Sequence, residues 1–173
     1  MLIILAGLPG SGKTTLAVEL ARRLCAVLLR IDSIEQALTN STLEIRPVED
    51  AGYMAGYAVA EDNLKLGRTV VADSVNPIEL TRQAWHAAAA RSGQPAVDVE
   101  VICSDPAEHR RRVETRVSDI PGLRLPSWQD VVDRDYEAWR RDRIVIDTSG
   151  RSVAVSLQEL LSRLACAPTE HAG

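Results

Sequence analysis

The amino-acid sequence predicts a single α/β domain built on a parallel sheet. Three observations carry this reading: short continuous apolar runs such as Leu2–Ala6, amphipathic stretches that alternate with them along the chain, and a length of 173 residues. A chain of this size buries about 70% of the surface its unfolded form exposes, so the fold needs no disulfide or metal to stand.

The elements follow in order. Leu2–Ala6 has the pattern of a strand buried on both faces. A glycine-rich turn separates it from a helix over Thr14–Leu24, where Leu16, Leu20 and Leu24 recur at helical spacing. Ala26–Ile31 reads as a second strand. Ser33–Leu38 reads as a short helix with Ser33 as N-cap and Gln36 three residues on, and 40–47 as a loop. A longer helix over Val48–Leu66 carries Tyr53, Tyr57 and Leu64 and ends at Gly67. Thr69–Ala72 is a third strand, Pro77–Arg91 a helix and Val97–Cys103 a fourth strand. Pro106–Val117 is a heavily charged helix, and Ser118–Ser127 a loop with Gly122 and two prolines. Trp128–Arg141 reads as a helix, Ile144–Ile146 as a fifth strand and Val153–Leu164 as a last amphipathic helix. Strands alternating with helices make βαβ units, hence a parallel sheet covered on both faces. The domain is expected over 1–165, with a flexible tail over 166–173.

Composition narrows the function. Twenty basic and 24 acidic residues leave a net charge of −4, which argues against a general nucleic-acid binder. Three Trp, three Tyr and no Phe leave the core to Leu, Val, Ile and Ala. Cys25, Cys103 and Cys166 share no metal-ligand spacing and read as reduced thiols of a cytoplasmic protein. No stretch approaches the ~20 apolar residues of a membrane span, and the run Leu2–Ala6 is too short for a signal peptide.

The strongest signal is Gly7-Leu8-Pro9-Gly10-Ser11-Gly12-Lys13-Thr14, a complete G-x-x-x-x-G-K-[ST] between a strand and a helix. Glycines let the backbone turn its N–H groups inward onto phosphate oxygens, and the helix N-terminus adds positive partial charge. Lys13, one of two lysines in the chain, reaches the β- and γ-phosphates of ATP. The Thr14 hydroxyl binds Mg²⁺, and Thr15 extends the nucleotide-binding set.

The motif leaves the reaction open. Motor and transport ATPases place a glutamate after the second-motif aspartate, whereas here Asp73 is followed by Ser74; no guanine-specificity N-K-x-D is present. Asp73 either organises Mg²⁺ through water or caps the next turn. Asp32, one residue past the second strand, either orients and deprotonates an acceptor hydroxyl or caps the following helix. Arg30 contacts the acceptor or flanks the strand end; Asn76 is a further acceptor-side candidate. In the charged helix Arg110, Arg111 and Arg112 have acidic neighbours at i±3 or i±4, but Arg116 has Arg112 at i−4 and Val113 at i−3. Two stacked arginines suit an anion, as phosphoryl transfer requires; Arg124 in the following loop is a third candidate. His109 is expected on the exposed helix face, His86 in a structural role, and Trp85, Trp128 and Trp139 in the core.

Together, the motif at 7–14, Asp32 after the second strand, Val70-Val71-Ala72-Asp73-Ser74 and Arg112-x-x-x-Arg116 resemble the P-loop kinase family. Within it they resemble the small AAA-type ATP-binding kinases, among them chloramphenicol phosphotransferase-like, zeta-toxin-like and gluconate kinase-like enzymes and polynucleotide 5′-kinase domains. The likeness spans about residues 1–165. It implies a three-layer α/β/α fold, a five-stranded parallel sheet of order 2-3-1-4-5 and a helical lid over about 106–127. It implies Asp32 as catalytic base, Arg112 and Arg116 as lid arginines, and Thr148–Arg151, with Gly150, near the adenine. Segment 33–60 would form the acceptor pocket, with Arg46, Glu49, Tyr53 and Tyr57 as lining candidates, although both tyrosines equally suit helix–sheet packing. The implied activity is Mg·ATP-dependent transfer of the γ-phosphoryl group to a hydroxyl of a small molecule such as a nucleoside, sugar acid or antibiotic, by a monomer or homodimer. A polynucleotide 5′-hydroxyl kinase and a non-catalytic NTP-binding regulatory module are the alternatives. No motif ties the chain to one subfamily, so the resemblance leaves the acceptor open.

Overall fold

Five strands pair in parallel in the order β2-β3-β1-β4-β5, the order that the resemblance implies. In the computed structural model, which describes residues 1–43 and 45–166, they are β1 (Leu2–Ala6), β2 (Val27–Arg30), β3 (Val70–Asp73), β4 (Ala96–Ile102) and β5 (Ile144–Asp147). The helices are α1 (Lys13–Leu24), α2 (Ile31–Thr39), α3 (Ala51–Lys65), α4 (Glu79–Arg91), α5 (Pro106–Thr115), α6 (Trp128–Val132) and α7 (Val153–Cys166). The rest of the expected tail, 167–173, lies outside the described residues. Among these residues no helix is long and apolar enough to cross a membrane.

The period of two along central β1 splits the core into two layers. Leu2 and Ile4 face Leu29, Ile31, Tyr57, Leu64 and Trp85, the layer under α2, α3 and α4. Ile3 and Leu5 face Leu16, Leu20, Ile146 and Leu160, the layer under α1 and α7. Each fully buried Leu or Ile contributes about 1.5–3 kcal/mol relative to exposure. Register then places the functional edge. Leu5 of β1 and Arg30 of β2 both align with Asp73 of β3, so Gly7, Arg30 and Asp73 emerge together at the carboxyl ends of adjacent strands. That edge is where open α/β sheets bind ligands.

Two expectations fail locally. Helix α2 starts at Ile31, directly off β2, with extended Arg30 as its N-cap; Ser33 lies inside the first turn and caps nothing. Asp32 also sits in that turn, where a carboxylate complements the helix dipole. The helix expected over 128–141 stops at Val132. Its missing second half is used by Arg82, a fully buried residue of α4. The Arg82 guanidinium donates to the carbonyl oxygens of Asn76 at 3.0 Å, Pro77 at 3.2 Å and Glu137 at 2.9 Å. It also lies 4.0 Å from the centroid of the Trp139 ring. Carbonyls turned onto Arg82 cannot continue a helical ladder, so 133–143 wraps the arginine as irregular chain. Trp85 is fully buried as expected, whereas Trp128 and Trp139 are only half-buried.

Replacing Arg82 by methionine is expected to lower stability by about 3 kcal/mol, because it strands buried carbonyls and loses charge-assisted bonds. Urea unfolding checks this, with Arg91→Met, which breaks an exposed pair with Glu61, as a control that loses much less.

Candidate active site

The turn leaving β1 carries Gly7, Gly10 and Gly12 with φ of +146°, +84° and +92°. At Gly7 a Cβ would overlap the Val101 carbonyl oxygen of β4, so only glycine fits. Two contacts pin the turn from behind. His109 of α5 donates from Nε2 to the Pro9 carbonyl at 2.8 Å, which sets the tautomer. Thr148, just past β5, donates its hydroxyl to the Ser11 carbonyl at 2.7 Å. His109 is therefore not on the exposed helix face: it is buried under the phosphate loop, its ring edge-on to Trp128 with centroids 5.3 Å apart. His86, as expected, is structural, bonded to buried Asp98 at 2.7 Å.

Lys13 opens α1 and pairs with Asp73, and both are buried. The second oxygen of Asp73 lies 4.0 Å from Arg30 Nε. Arg30 forks onto Asp119, in the loop after α5, at 2.6 and 2.8 Å. The Asp119 hydrogen bond raises the Arg30 pKa, and the same contact holds the Asp119 carboxyl below the usual range. Arg30 is thus neither a plain strand-end residue nor on the cavity wall. It joins the phosphate-loop ion pair to the loop expected to be a lid.

A cavity of about 720 Å³ opens over this edge. Its phosphate end is walled by Leu8, Pro9, Gly10, Gly12, Lys13, Thr14 and Thr15. Arg112, Thr148 and Arg151 extend that wall towards β5. The other end is walled by Asp32 and Glu35 of α2, Tyr53 of α3, Ser74, Thr81 and Arg116, with Arg124 and Arg134 at the exposed edge. The two stacked arginines diverge. Arg112 turns to Thr148, donating to its hydroxyl at 2.7 Å and its carbonyl at 2.9 Å, and to Glu108 at 2.7 Å. Arg116 leaves the helix as its C-cap. It forms no ion pair among the described residues, and its buried Nε has no hydrogen-bond partner. Burial lowers its pKa against the pull of Asp32. Asp32 and Glu35 likewise have no hydrogen-bond or ion-pair partner among the described residues. Burial, with the Asp32 charge adding, holds the Glu35 carboxyl above its ordinary value.

Several expected residues are elsewhere. Gly7 and Ser11 lie behind the wall as support for the turn. Gly150 is off the cavity, its N–H bonded to Glu108 at 2.8 Å. Arg46 and Glu49 are exposed away from it. Tyr57 packs edge-on to Trp85, with centroids 4.6 Å apart. Asn76 is fully buried, accepting from Trp85 Nε1 at 3.1 Å. These two serve packing, not the acceptor wall. Sequence reading missed Glu35, Ser74, Thr81 and Arg134. Only Glu35 carried a signal, one helical turn after Asp32.

Two predictions follow from this geometry. Gly7→Ala is expected to cost about 3 kcal/mol or more in urea unfolding, since strain and overlap coincide. Gly67→Ala, with φ +74° but open space, costs about 1 kcal/mol from backbone strain alone. Glu35 gives a pH signature. Its carboxyl ionises in the unfolded chain near 4.5 and only above that in the fold. The folded state therefore holds the proton longer, and this site loses stability as pH rises through that window. Glu35→Gln is expected to raise the thermal midpoint at pH 7.5 and to leave no gain at pH 4.

The chain matches the family model described as "AAA domain" over residues 2–134. No curated protein matches it. Solved structures similar to it include Kti12 of Chaetomium thermophilum in complex with ADP-AlF3, at 21% identity and TM-score 0.69, with 100% of each chain covered. The APS kinase CysC of Mycobacterium tuberculosis, in complex with AMPPNP and APS, is 18% identical with TM-score 0.69, covering 95% of this chain and 96% of that one. A gluconokinase of Sinorhizobium meliloti 1021 is 19% identical with TM-score 0.66, covering 95% and 91%. With the phosphate loop, the sheet order and the family match in agreement, the chain belongs to the AAA domain family and has the fold of the small P-loop kinases.

Proposed function

We propose that this protein is a Mg·ATP-dependent kinase that phosphorylates a hydroxyl of a small molecule. The observation that carries this reading is one continuous cavity with Lys13 at one end and the unpartnered Asp32 and Arg116 at the other. The acceptor oxygen attacks the γ-phosphorus, the bond from that phosphorus to ADP breaks, and Asp32 takes the hydroxyl proton. Lys13 leaves Asp73 for the phosphates, and Arg116 supplies the free cation for charge spread over the transferred group. Arg112 fixes the wall between the phosphate loop and the adenine side through Thr148. The loop carrying Asp119, Leu123 and Arg124 acts as a lid that excludes water.

The donor set suits magnesium. Among the described residues no three His, Cys, Asp or Glu side chains are grouped as a metal cluster. Thr14 and Asp73 would hold the ion, which would neutralise phosphate charge. The net charge of −4 disfavours a nucleic-acid strand as acceptor. A nucleotide-driven switch is favoured by one feature, the charge series Lys13–Asp73–Arg30–Asp119, which links the phosphate loop to the lid.

The test is ADP release from Mg·ATP across a library of hydroxyl compounds and 5′-hydroxyl oligonucleotides, with wild type and Asp32→Asn. The expected result is strong stimulation by one small-molecule class, lowered about 10²–10⁴-fold by Asp32→Asn. Stimulation that survives the substitution would remove Asp32 as base. Stimulation by oligonucleotides alone would favour the polynucleotide kinase, and tight ATP binding without turnover the switch.

A further inference from the structure

The acceptor end of the cavity separates its charges by depth. Its floor carries carboxylates. Asp32 and Glu35 lie one turn apart on α2, both half-buried and without a hydrogen-bond or ion-pair partner among the described residues. Glu35 is seated, not extended to water, because α3 has Gly52 beneath it: a Cβ there would overlap the Glu35 side chain. Ser74 is a separate signal. The residue is 2% exposed and lines the cavity, and its hydroxyl, beside Tyr53, makes no well-formed hydrogen bond among the described residues. The ring of Tyr53 completes that floor.

No cation forms an ion pair with either carboxylate among the described residues. Arg124 and Arg134 are exposed at the edge, where solvent and salt screen them. The Arg134 charge still acts on Glu35 from that edge. Arg116 lines the same end, and its charge acts on Asp32 without an ion pair among the described residues. Two carboxylates held close together out of water, with no cation closing into an ion pair on either among the described residues, are unfavourable. A buried hydroxyl without a partner is unfavourable too. A ligand carrying a positive charge and N–H donors satisfies all three groups, and a neutral sugar or a hydroxy acid does not.

Resting on the kinase reading above, we infer that the acceptor is a cationic amino-alcohol. Its hydroxyl meets Asp32 and is phosphorylated. Its ammonium lies against Glu35, donates to the Ser74 hydroxyl oxygen and rests on the Tyr53 ring. Residues one turn apart have Cβ atoms about 5–6 Å apart, so the hydroxyl and ammonium are separated by a few bonds, as in a vicinal or 1,3-amino-alcohol or an amino sugar.

The experiment uses two matched sets with Mg·ATP: 3-amino-1-propanol, 1,3-propanediol and 3-hydroxypropionate, and glucosamine, glucose and gluconate. ADP release gives kcat and KM for each, with wild type and Glu35→Gln. The amino member of a set is expected to lead its neutral analogue by about tenfold or more in kcat/KM, one charged contact's worth. Glu35→Gln is expected to bring that ratio to about twofold or less, through KM far more than kcat. Preference for a neutral or anionic acceptor, or a preference for the amine that Glu35→Gln leaves intact, overturns the inference while the kinase reading stands. Turnover with no member of these sets or of the wider hydroxyl library overturns both.

Discussion

The buried pair between Lys13 and Asp73 is the interaction on which the site depends. It ties the N-terminus of α1 to the end of β3, across the turn that must stay open for phosphate. Neither charge tolerates burial alone, since the desolvation cost of each is offset only by its partner. The pair therefore sets a condition on whatever enters. A ligand that draws Lys13 away must compensate Asp73 in the same step. In the proposed reaction, phosphate with a divalent cation would do both at once, anion to Lys13 and cation to Asp73; phosphate alone would leave Asp73 with only Arg30, 4.0 Å away. The ion pair is thus a physical reason for a joint requirement, held in place by sheet register.

The same logic separates scaffold from site. Three polar groups that build the frame are well paired. Arg82 is ringed by carbonyls and Trp139. Glu108 is held by the Gly150 N–H and then by Arg112, which lower its pKa. Thr148 bonds Ser11, Ile102 and Arg112 at once. On the cavity wall, Asp32 and Glu35 have no hydrogen-bond or ion-pair partner among the described residues, and Ser74 Oγ and Arg116 Nε are unpaired among them. Other buried polar atoms, such as Tyr136 Oη and Asp98 Oδ1, are also unpaired among the described residues, so what marks these four is that they share one cavity surface.

How much of this was legible follows from the range of each interaction. The phosphate loop, the strand order of apolar runs and Asp32 after β2 are local patterns, and they were readable. The resemblance added the sheet order. What sequence alone concealed depends on contacts far apart in the chain. His109 looked solvent-facing because its helix is charged, yet its partner, Pro9, is 100 residues away. The second half of the expected helix at 128–141 has acceptable helical spacing, but Arg82, 55 residues earlier than Glu137, claims its carbonyl. Tyr57 and Asn76 share the polar, hydrogen-bonding chemistry of site residues, and only Trp85 packed between them shows that they belong to the core. Glu35 was visible as a charge on a short helix, but its burial depends on Gly52 of another element.

Arg112 and Arg116 show why a pair of like charges at i and i+4 was informative without being sufficient. Such a pair in a regular helix is mildly destabilising. The chain relieves that cost by ending the helix at Thr115 and turning Arg112 aside to Glu108 and Thr148. One arginine becomes part of the frame, with a saturated guanidinium. The other keeps its charge uncompensated inside the cavity, close enough for Asp32 to act on its pKa. Asp32 and Arg116 feel each other without closing into an ion pair among the described residues. An ion pair would neutralise both and block the space between them. Held apart, they leave a gap with a carboxylate on one side and a cation on the other, the arrangement that the proposed phosphoryl transfer needs between its acceptor and its charge.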